Sequence, residues 1–281
     1  MNVNACAKLN LTLDILRKRE DGYHDLQMVM QSIDLSDTLT VTPAHGPGQM
    51  STNLSYLPSD GRNLAQMAAA AFRGVTGTDL QVDISICKRI PVCAGMAGGS
   101  TDAAAVLRAL NELTGVNLPP ERLAEIGQAV GSDVPYCVMG GTALAEGRGE
   151  ILTPLPALPR CHVVVCKPAF SVSTPQLFSR VDVRKIVRRP DTEGLLAALK
   201  AADLAGVARR MYNVFEDVLE PRRRVEIDSI KATLIDCGAL GAAMTGSGPT
   251  VFGLFDDAAA AEEAKGRLAL LYHDVFLCQT V

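Results

Sequence analysis

The stretch Ile90-Pro-Val-Cys-Ala-Gly-Met-Ala-Gly-Gly-Ser-Thr-Asp102 leads from a predicted strand directly into a predicted helix. Gly95, Gly98 and Gly99 allow positive φ angles and a close approach of backbone to ligand, and the hydroxyl residues that follow can cap the helix. Free N–H groups and the helix dipole then favour an anion. The spacing fits neither a Walker A loop nor a Rossmann fingerprint. Phosphate binding and an ordinary glycine turn both remain open at this point.

The elements around this loop alternate between strand and helix periods. From Val3 to Ile15 apolar residues take the odd positions and mostly polar residues the even ones, which predicts a half-buried strand. Two further strands are predicted around Met28 to Ile33 and Thr38 to Val41. Helical spacing follows from Leu64 to Val75, then a strand from Leu80 to Ile86, and two helices come after the glycine loop. This order predicts a mixed α+β domain.

A proline-rich segment, residues 153–160, carries three prolines in eight residues and predicts a domain boundary. We therefore divide the chain into residues 1–155 and 156–281. The second part combines short strands with helical patterns at Thr192 to Val207 and Arg223 to Ile235, followed by two strands, a helix and a final strand. This sequence of elements favours a ferredoxin-like α+β sandwich.

Composition limits the class of protein. The chain has 281 residues, a formal net charge of −4 and 48% hydrophobic residues, as expected of an ordinary globular protein. An acidic balance gives no general attraction for nucleic acid or anionic membrane, and no apolar run is long enough to span a bilayer. The eight cysteines form no C-x-x-C pair, so we expect reduced thiols and a cytoplasmic protein. The four histidines are scattered and predict no zinc site.

Three further motifs occur in a fixed order. They are Ala7-Lys-Leu-Asn-Leu11, Gly131-Ser-Asp-Val-Pro-Tyr136 and Met244-Thr-Gly-Ser-Gly-Pro-Thr250. Together with the central glycine loop they resemble the GHMP kinase superfamily of small-molecule kinases, from near residue 3 to about residue 256. The resemblance implies an α+β, two-domain GHMP kinase fold. Its N-terminal domain is similar to domain 2 of ribosomal protein S5, its C-terminal domain is ferredoxin-like, and ATP binds at the central loop.

Two more segments narrow the resemblance. Asp21-Gly-Tyr-His24 and Ala145-Glu-Gly-Arg-Gly-Glu150 are similar to the branch that phosphorylates an alcohol bearing a cytidine diphosphate group in the non-mevalonate isoprenoid pathway. One alternative is a kinase for another small alcohol, such as homoserine or mevalonate, and the segment at 21–24 argues against it. Another is a nucleotide-binding protein without activity. Lys8 and Asp133 argue against that, since simple binding requires neither.

Lys8 and Asp133 are the predicted catalytic residues. Lys8 and Asn10 lie two apart on the polar face of the first strand, so both point into one cleft. From the residues alone, a solvated lysine on an edge strand and a helix-capping aspartate remain the alternatives. The resemblance implies that Asp133 accepts the proton of the substrate hydroxyl. It also implies that Lys8 keeps Asp133 ionised and stabilises charge on the transferred phosphoryl group.

The resemblance implies an ATP site along the whole glycine loop. Its predicted members are Pro91, Val92, Cys93, Ala94, Gly95, Met96, Ala97, Gly98, Gly99, Ser100 and Thr101. Cys93, Ala94 and Ala97 stand where the family frequently has glycine, so these positions must have ordinary backbone angles unless the loop is reshaped. Mg²⁺ is expected on the nucleotide, and Ser100 or Thr101 could supply one ligand. The sequence alone leaves the metal ligands unknown.

Recognition of the substrate is expected from a second set of residues. These are Asn10, Tyr23, His24, Thr174 and Phe178. The resemblance implies that Tyr23 and Phe178 sandwich the cytosine base, that His24 reads its polar edge and that Thr174 adds a nearby polar contact. A tyrosine packed over its own strand is the alternative for Tyr23. The expected partner is a small molecule with a cytidine diphosphate group, and the sequence leaves the oligomeric state open.

Overall fold

The structure, a computed structural model, describes residues 1–281. The chain forms two compact units that alternate along the sequence. The first unit contains Met1–Ala7, Leu35–Ile90 and Ala97–Gly140, and the second contains Lys8–Asp34, Pro91–Met96 and Gly141–Val281. The predicted boundary between residues 155 and 156 divides the chain into two continuous domains, whereas each of these units combines three separate segments. The predicted boundary stays a prediction.

Eleven strands and nine α-helices make up the fold. The strands are β1 (Asn2–Lys18), β2 (His24–Pro43), β3 (Met50–Thr52), β4 (Val82–Cys87), β5 (Thr142–Gly147), β6 (Ile151–Pro154), β7 (His162–Lys167), β8 (Tyr212–Asn213), β9 (Gly241–Met244), β10 (Val251–Phe255) and β11 (Asp274–Gln279). The helices are α1 (Leu64–Thr76), α2 (Gly98–Thr114), α3 (Pro120–Gln128), α4 (Val134–Met139), α5 (Thr174–Arg180), α6 (Thr192–Lys200), α7 (Leu204–Ala208), α8 (Pro221–Asp236) and α9 (Ala258–Ala269).

The first unit packs alanine-rich helices on a small sheet. β4 lies between the second half of β2, which runs antiparallel to it, and β3, which runs parallel. Helix α2 buries four alanines together with Leu107 and Leu110, and α1 buries Phe72 and three alanines in the same core. Small side chains let the two helices approach closely. The α1 helix ends at Gly77 with a left-handed φ of 70°, in agreement with the predicted helix end.

The second unit contains a four-stranded antiparallel sheet in the order β11-β7-β10-β9. Helix α8 buries Ile227, Ile230 and Leu234, and α9 buries Ala261, Ala264 and Leu268. Every residue of β10 is buried. This arrangement of strands and helices is the predicted ferredoxin-like sandwich.

The polar face of β1 is buried, which corrects the expected half-buried strand. Lys8, Asn10, Thr12 and Asp14 are at most 5% exposed, and a hydrogen bond satisfies each. Beyond residue 7, β1 lies between β2 and the parallel strand β8 rather than at an edge. Period-two alternation therefore identified the strand correctly, but it could not show that the polar face would meet other buried polar groups.

Three boundaries also differ from the sequence analysis. The two strands predicted around residues 28–33 and 38–41 are one continuous strand, β2. The segment between Pro43 and Gly61, expected to be a connection, contains the short strand β3. The single helix predicted from Thr192 to Val207 is divided into α6 and α7, because Ala202 takes a left-handed φ of 52° and Asp203 caps the new helix.

No disulfide joins any of the eight cysteines. None of the helices combines the length and the apolar character that crossing a bilayer demands.

Candidate active site

Lys8 and Asn10 form the centre of a buried polar group in the second unit. The Lys8 ammonium donates a hydrogen bond to Asn10 Oδ1 over 2.7 Å. The Asn10 side-chain amide lies 3.3 Å from the sulfur of Met28, and its backbone N–H donates to Thr245 Oγ1 over 3.0 Å. The two predicted site residues on β1 are therefore in direct contact.

The Lys8 ammonium has no carboxylate partner although it is only 4% exposed. Burial of an unpaired charge costs several kcal/mol, so proteins normally pair such groups or place them where a ligand supplies the opposite charge. One neutral amide oxygen does not neutralise an ammonium. The observation excludes the solvated surface lysine, and it fits a lysine that meets an anionic group of a substrate.

Thr245 connects β1 to two loops of the second unit. Its hydroxyl lies 3.3 Å from Asn10 Oδ1 and 3.4 Å from the carbonyl oxygen of Gly95. A Cβ atom on Gly95 would lie 2.3 Å from the Thr245 carbonyl oxygen, and one on Gly246 would lie 2.6 Å from the Gly95 carbonyl oxygen. These two glycines are therefore required by close backbone contact. The Gly/Ser pattern at 244–250 predicted this loop, but nothing in it singled out Thr245.

The backbone of the glycine loop differs from the expectation. Gly95 has the predicted positive φ, at 75°, but Gly98 and Gly99 are ordinary helical residues at the start of α2. Cys93 and Ala97 instead take left-handed φ angles of 53° and 59°. Of the two alternatives, ordinary angles or a reshaped loop, the structure therefore has the reshaped loop at these two positions. A non-glycine residue in this conformation costs about 1–2 kcal/mol, which the surrounding contacts must offset.

The predicted hydroxyl cap of α2 is also absent. Ala97 occupies the N-cap position, and no side chain caps the helix. Thr101 Oγ1 is turned inward and donates to the Gly98 carbonyl oxygen over 2.9 Å. Ser100 is half-buried, and its hydroxyl makes no hydrogen bond. Of the two hydroxyls considered for Mg²⁺, that of Thr101 is buried and that of Ser100 is accessible.

Asp133 occupies the N-cap position of α4 in the first unit, but its side chain makes no capping hydrogen bond and no ion pair. The alternative of a helix-capping aspartate therefore leaves the carboxylate unexplained. Asp133 is half-buried. A carboxylate without protein partners is free to accept a proton from a ligand. The pairing of Asp133 with Lys8 stays a prediction.

The predicted base-recognition residues His24 and Phe178 meet in the second unit. Their rings stack with centroids 5.1 Å apart and an interplanar angle of 21°. Phe215 packs edge-on against Phe178 at 4.9 Å. Burial, followed by the nearby Lys18 charge, lowers the pKa of His24 below its usual value, which favours a neutral ring. No local sequence pattern indicated Phe215.

Tyr23 is exposed, and the guanidinium of Arg148 lies 4.7 Å from the centre of its ring. The structure thus pairs Tyr23 with a cation and does not bring it against Phe178. Thr174 Oγ1 lies 2.7 Å from the hydroxyl of Ser247, in the same loop as Thr245. Thr174 therefore lies beside the second Gly/Ser loop, where the sequence had no means of placing it.

A cluster that the sequence analysis did not find lies in the first unit. The Lys88 ammonium donates to Asp102 Oδ2 over 2.6 Å and to Asp37 Oδ2, and all three side chains are at most 5% exposed. Asp102 Oδ1 is buried without a hydrogen-bond partner. Burial, partly offset by Lys88 and increased by Asp37, raises the pKa of Asp102 to about 7. Lys88 and Asp37 are 51 positions apart, so no local pattern indicated the cluster.

This raised pKa predicts that stability falls as the pH rises. Between about pH 4 and pH 7 folded Asp102 holds a proton that the unfolded chain has released, so the folded state is favoured at the acidic end of this window and loses that advantage towards pH 7. We expect Asp102→Asn to remove this component. Urea unfolding of both proteins across pH 4.5–7.5 measures it, and parallel pH profiles would contradict the assignment.

Comparison with known proteins agrees with this arrangement. Residues 63–141 match the GHMP kinases N terminal domain, and residues 195–274 match the GHMP kinases C terminal domain. The fold and the glycine loop thus define a GHMP kinase, an ATP-dependent small-molecule kinase.

Curated relatives narrow the family. Proteins named 4-diphosphocytidyl-2-C-methyl-D-erythritol kinase are 43% identical in Clostridium botulinum, over all of both chains, and 46% identical in Clostridium perfringens, over all of this chain and 98% of the relative. A relative of the same name in Alkaliphilus metalliredigens is 42% identical over 98% of this chain and 94% of its own. The chain belongs to the 4-diphosphocytidyl-2-C-methyl-D-erythritol kinase family.

Solved structures also favour this family over the homoserine kinases. A crystal structure of 4-(cytidine 5'-diphospho)-2C-methyl-D-erythritol kinase is 32% identical, with a TM-score of 0.83 over all of this chain and 99% of that one. A homoserine kinase from Cytophaga hutchinsonii is 19% identical, with a TM-score of 0.74 over all of this chain and 94% of that one, and shares the fold alone. The two-domain GHMP kinase fold predicted from the sequence is confirmed.

Proposed function

We propose that this kinase transfers the γ-phosphoryl group of ATP to the 2-hydroxyl of 4-diphosphocytidyl-2-C-methyl-D-erythritol, a step of the non-mevalonate isoprenoid pathway. The curated relatives carry the name of this kinase, and the alternative of a homoserine or mevalonate kinase rests on the shared fold only. The expected partner is therefore a small molecule with a cytidine diphosphate group. The reducing interior of the cell is the proposed location, because the thiols form no disulfide.

The donor side of the site is proposed for the glycine loop, residues 91–101. Left-handed residues at 93, 95 and 97 turn the chain repeatedly, and the loop ends at the N-terminus of α2. Backbone N–H groups in such a turn, together with the helix dipole, favour the phosphates of a nucleotide. The loop therefore positions the donor, and phosphoryl transfer asks mainly for positioning and for neutralisation of charge.

The acceptor is activated by Asp133 in this proposal. Its carboxylate takes the proton of the substrate 2-hydroxyl while that oxygen forms a bond to the γ-phosphorus. The bond between the γ-phosphorus and the bridging oxygen of ATP breaks, and ADP leaves with the electron pair. The Asp133 side chain has no competing hydrogen bond, which supports this role.

Lys8 provides the observation that carries the proposal. Its buried ammonium has one neutral partner, Asn10, and no carboxylate. A fixed cation in a site without water stabilises the negative charge that spreads over a transferred phosphoryl group. Because the strand fixes Lys8 before substrate binds, little reorganisation is needed during the reaction.

Mg²⁺ is proposed to accompany ATP, where it neutralises phosphate charge. The donor chemistry of the loop fits a metal that keeps several waters, because the half-buried Ser100 offers an accessible hydroxyl oxygen whereas Thr101 is buried. No group of three or more His, Cys, Asp or Glu side chains is arranged to hold a metal ion. The ion would therefore take most of its ligands from the nucleotide and water.

A coupled assay of ADP release tests this function. The panel contains the cytidyl substrate, the same alcohol without its cytidine diphosphate group, homoserine and mevalonate. We expect turnover with the cytidyl substrate alone. Turnover of homoserine or mevalonate at a similar rate would assign a different kinase, and ATP binding without turnover of any alcohol would indicate a nucleotide-binding protein.

Tyr23→Ala tests recognition of the base. If the exposed Tyr23 ring stacks on cytosine, its loss should cost about 0.5–1.5 kcal/mol, so the KM of the cytidyl substrate should rise by about two- to twelvefold. The KM of ATP should not change. Tyr56→Ala is the matched control, because Tyr56 is another exposed tyrosine. An equal rise of both KM values in Tyr23→Ala would instead indicate a packing role.

A further inference from the structure

The Asp37–Lys88–Asp102 cluster joins the two ends of the glycine loop within the first unit. Before the loop, Asp37 Oδ1 accepts the backbone N–H groups of Arg89 and Ile90 over 2.6 and 2.8 Å. After it, Lys88 binds Asp102 of α2 and donates to the carbonyl oxygen of Gly98 over 3.3 Å. All three protons of the ammonium therefore have acceptors. Through them the strand end is fixed to the start of the helix.

Ala97 lies directly before this fixed turn in an unfavourable conformation. It has φ 59° and ψ 26°, no side chain caps the helix at this point, and its carbonyl oxygen accepts the N–H of Thr101. An alanine with no restraint populates the left-handed region roughly tenfold less than its ordinary conformations. The Thr101 N–H holds the peptide that follows Ala97, and the Lys88 ammonium holds the next peptide through the Gly98 carbonyl oxygen. The cluster therefore fixes the start of the helix whose first backbone hydrogen bond restrains Ala97.

We propose that the Asp37–Lys88–Asp102 cluster is a positioning device that keeps Ala97 left-handed and thereby holds the glycine loop in its ATP-binding shape. The inference rests on the proposed role of this loop in binding ATP. It assigns the three buried side chains a function in shaping the ATP site without contact to the reacting atoms. Glycine at position 97 would need no such restraint, because glycine adopts this conformation without strain.

The proposal makes a quantitative prediction about ATP affinity. When the restraint is removed, the binding-competent loop becomes a minor conformation, and the apparent Kd rises by the inverse of its population. Lys88→Met combined with Asp102→Asn removes the ammonium and one carboxylate, and Asp37 keeps its two backbone donors. We expect this double variant to bind ATP about tenfold more weakly. Its kcat at saturating ATP should change less than threefold.

Ala97→Gly should reverse most of this loss. Glycine adopts the left-handed conformation without the cluster, so Lys88→Met/Asp102→Asn/Ala97→Gly should bind ATP within about threefold of the unmodified protein. Ala97→Gly alone is the reference for this triple variant, because it carries the same loop substitution with the cluster intact. Calorimetric titration with ATP, well below each melting temperature, gives the four affinities. If the double variant does not fold, Lys88→Arg takes its place. Lys88→Arg should also weaken ATP binding, and Ala97→Gly should again reverse most of this loss.

An ion pair between a buried aspartate and a partly exposed arginine provides the control for general destabilisation. Asp14 and Arg189 form an ion pair in the second unit at 2.6 Å. Asp14→Asn/Arg189→Met should lower the melting temperature and leave the Kd for ATP unchanged. A folded cluster variant with normal ATP affinity, or a loss that Ala97→Gly does not reduce, would overturn the proposal. If the unmodified protein itself failed to bind ATP, the proposed function would fail instead.

Discussion

Asp133→Asn should lower kcat by about 10²–10⁴ with little change in ATP affinity. The asparagine keeps the size of the side chain but cannot take the proton of the substrate hydroxyl. Because Asp133 makes no capping hydrogen bond and no ion pair, the substitution removes no stabilising contact from α4. Single-turnover kinetics with ADP detection, together with calorimetry for ATP, separates the chemical step from binding.

Glu121→Gln is the matched control for this prediction. Glu121 is an exposed acid in the first turn of α3, in the same unit as Asp133, so its substitution removes a carboxylate of similar position on a helix. We expect normal kcat in the control. Near-normal turnover in Asp133→Asn would remove Asp133 from the mechanism and leave the activation of the hydroxyl to another group.

Local periodicity predicted much of the fold. The helix around residues 64–75 and its end at Gly77 follow from apolar spacing and a glycine terminator, and both are observed. The break between α6 and α7 had no such signal, because alanine at position 202 does not mark a left-handed residue. Element type was thus accessible from the sequence, whereas breaks imposed by tertiary packing were not.

In the candidate site, too, local sequence patterns predicted some features, and tertiary packing determined the others. Lys8 and Asn10 were predicted together, because positions two apart share one face of a strand. The hydrogen bond between the Asn10 backbone N–H and Thr245 was not predicted, because it joins residues 235 positions apart. Cys93 and Ala97 take left-handed φ angles, although residues other than glycine rarely do so. Such violations concentrate at functional sites, where surrounding contacts offset local strain.

The unpaired charge of Lys8 leads to a prediction with opposite signs for stability and activity. Lys8→Met keeps most of the side-chain volume and removes a buried ammonium whose only partner is the Asn10 amide. We expect the free energy of unfolding to rise by about 1–2 kcal/mol, because an uncompensated buried charge is lost. We expect kcat to fall by about 10²–10³, because the charge on the transferred phosphoryl group loses its fixed cation.

The same substitution at Lys231 should have the reverse effect on stability. Lys231 pairs with the buried Glu216 at 2.5 Å, so Lys231→Met leaves a carboxylate without its cation and should lower the free energy of unfolding by about 1–3 kcal/mol. Urea unfolding of the three proteins and their steady-state kinetics give both quantities. If Lys8→Met were destabilised as much as Lys231→Met, Lys8 would have a structural role in the free protein. Its buried charge would then give no support to a role in phosphoryl transfer.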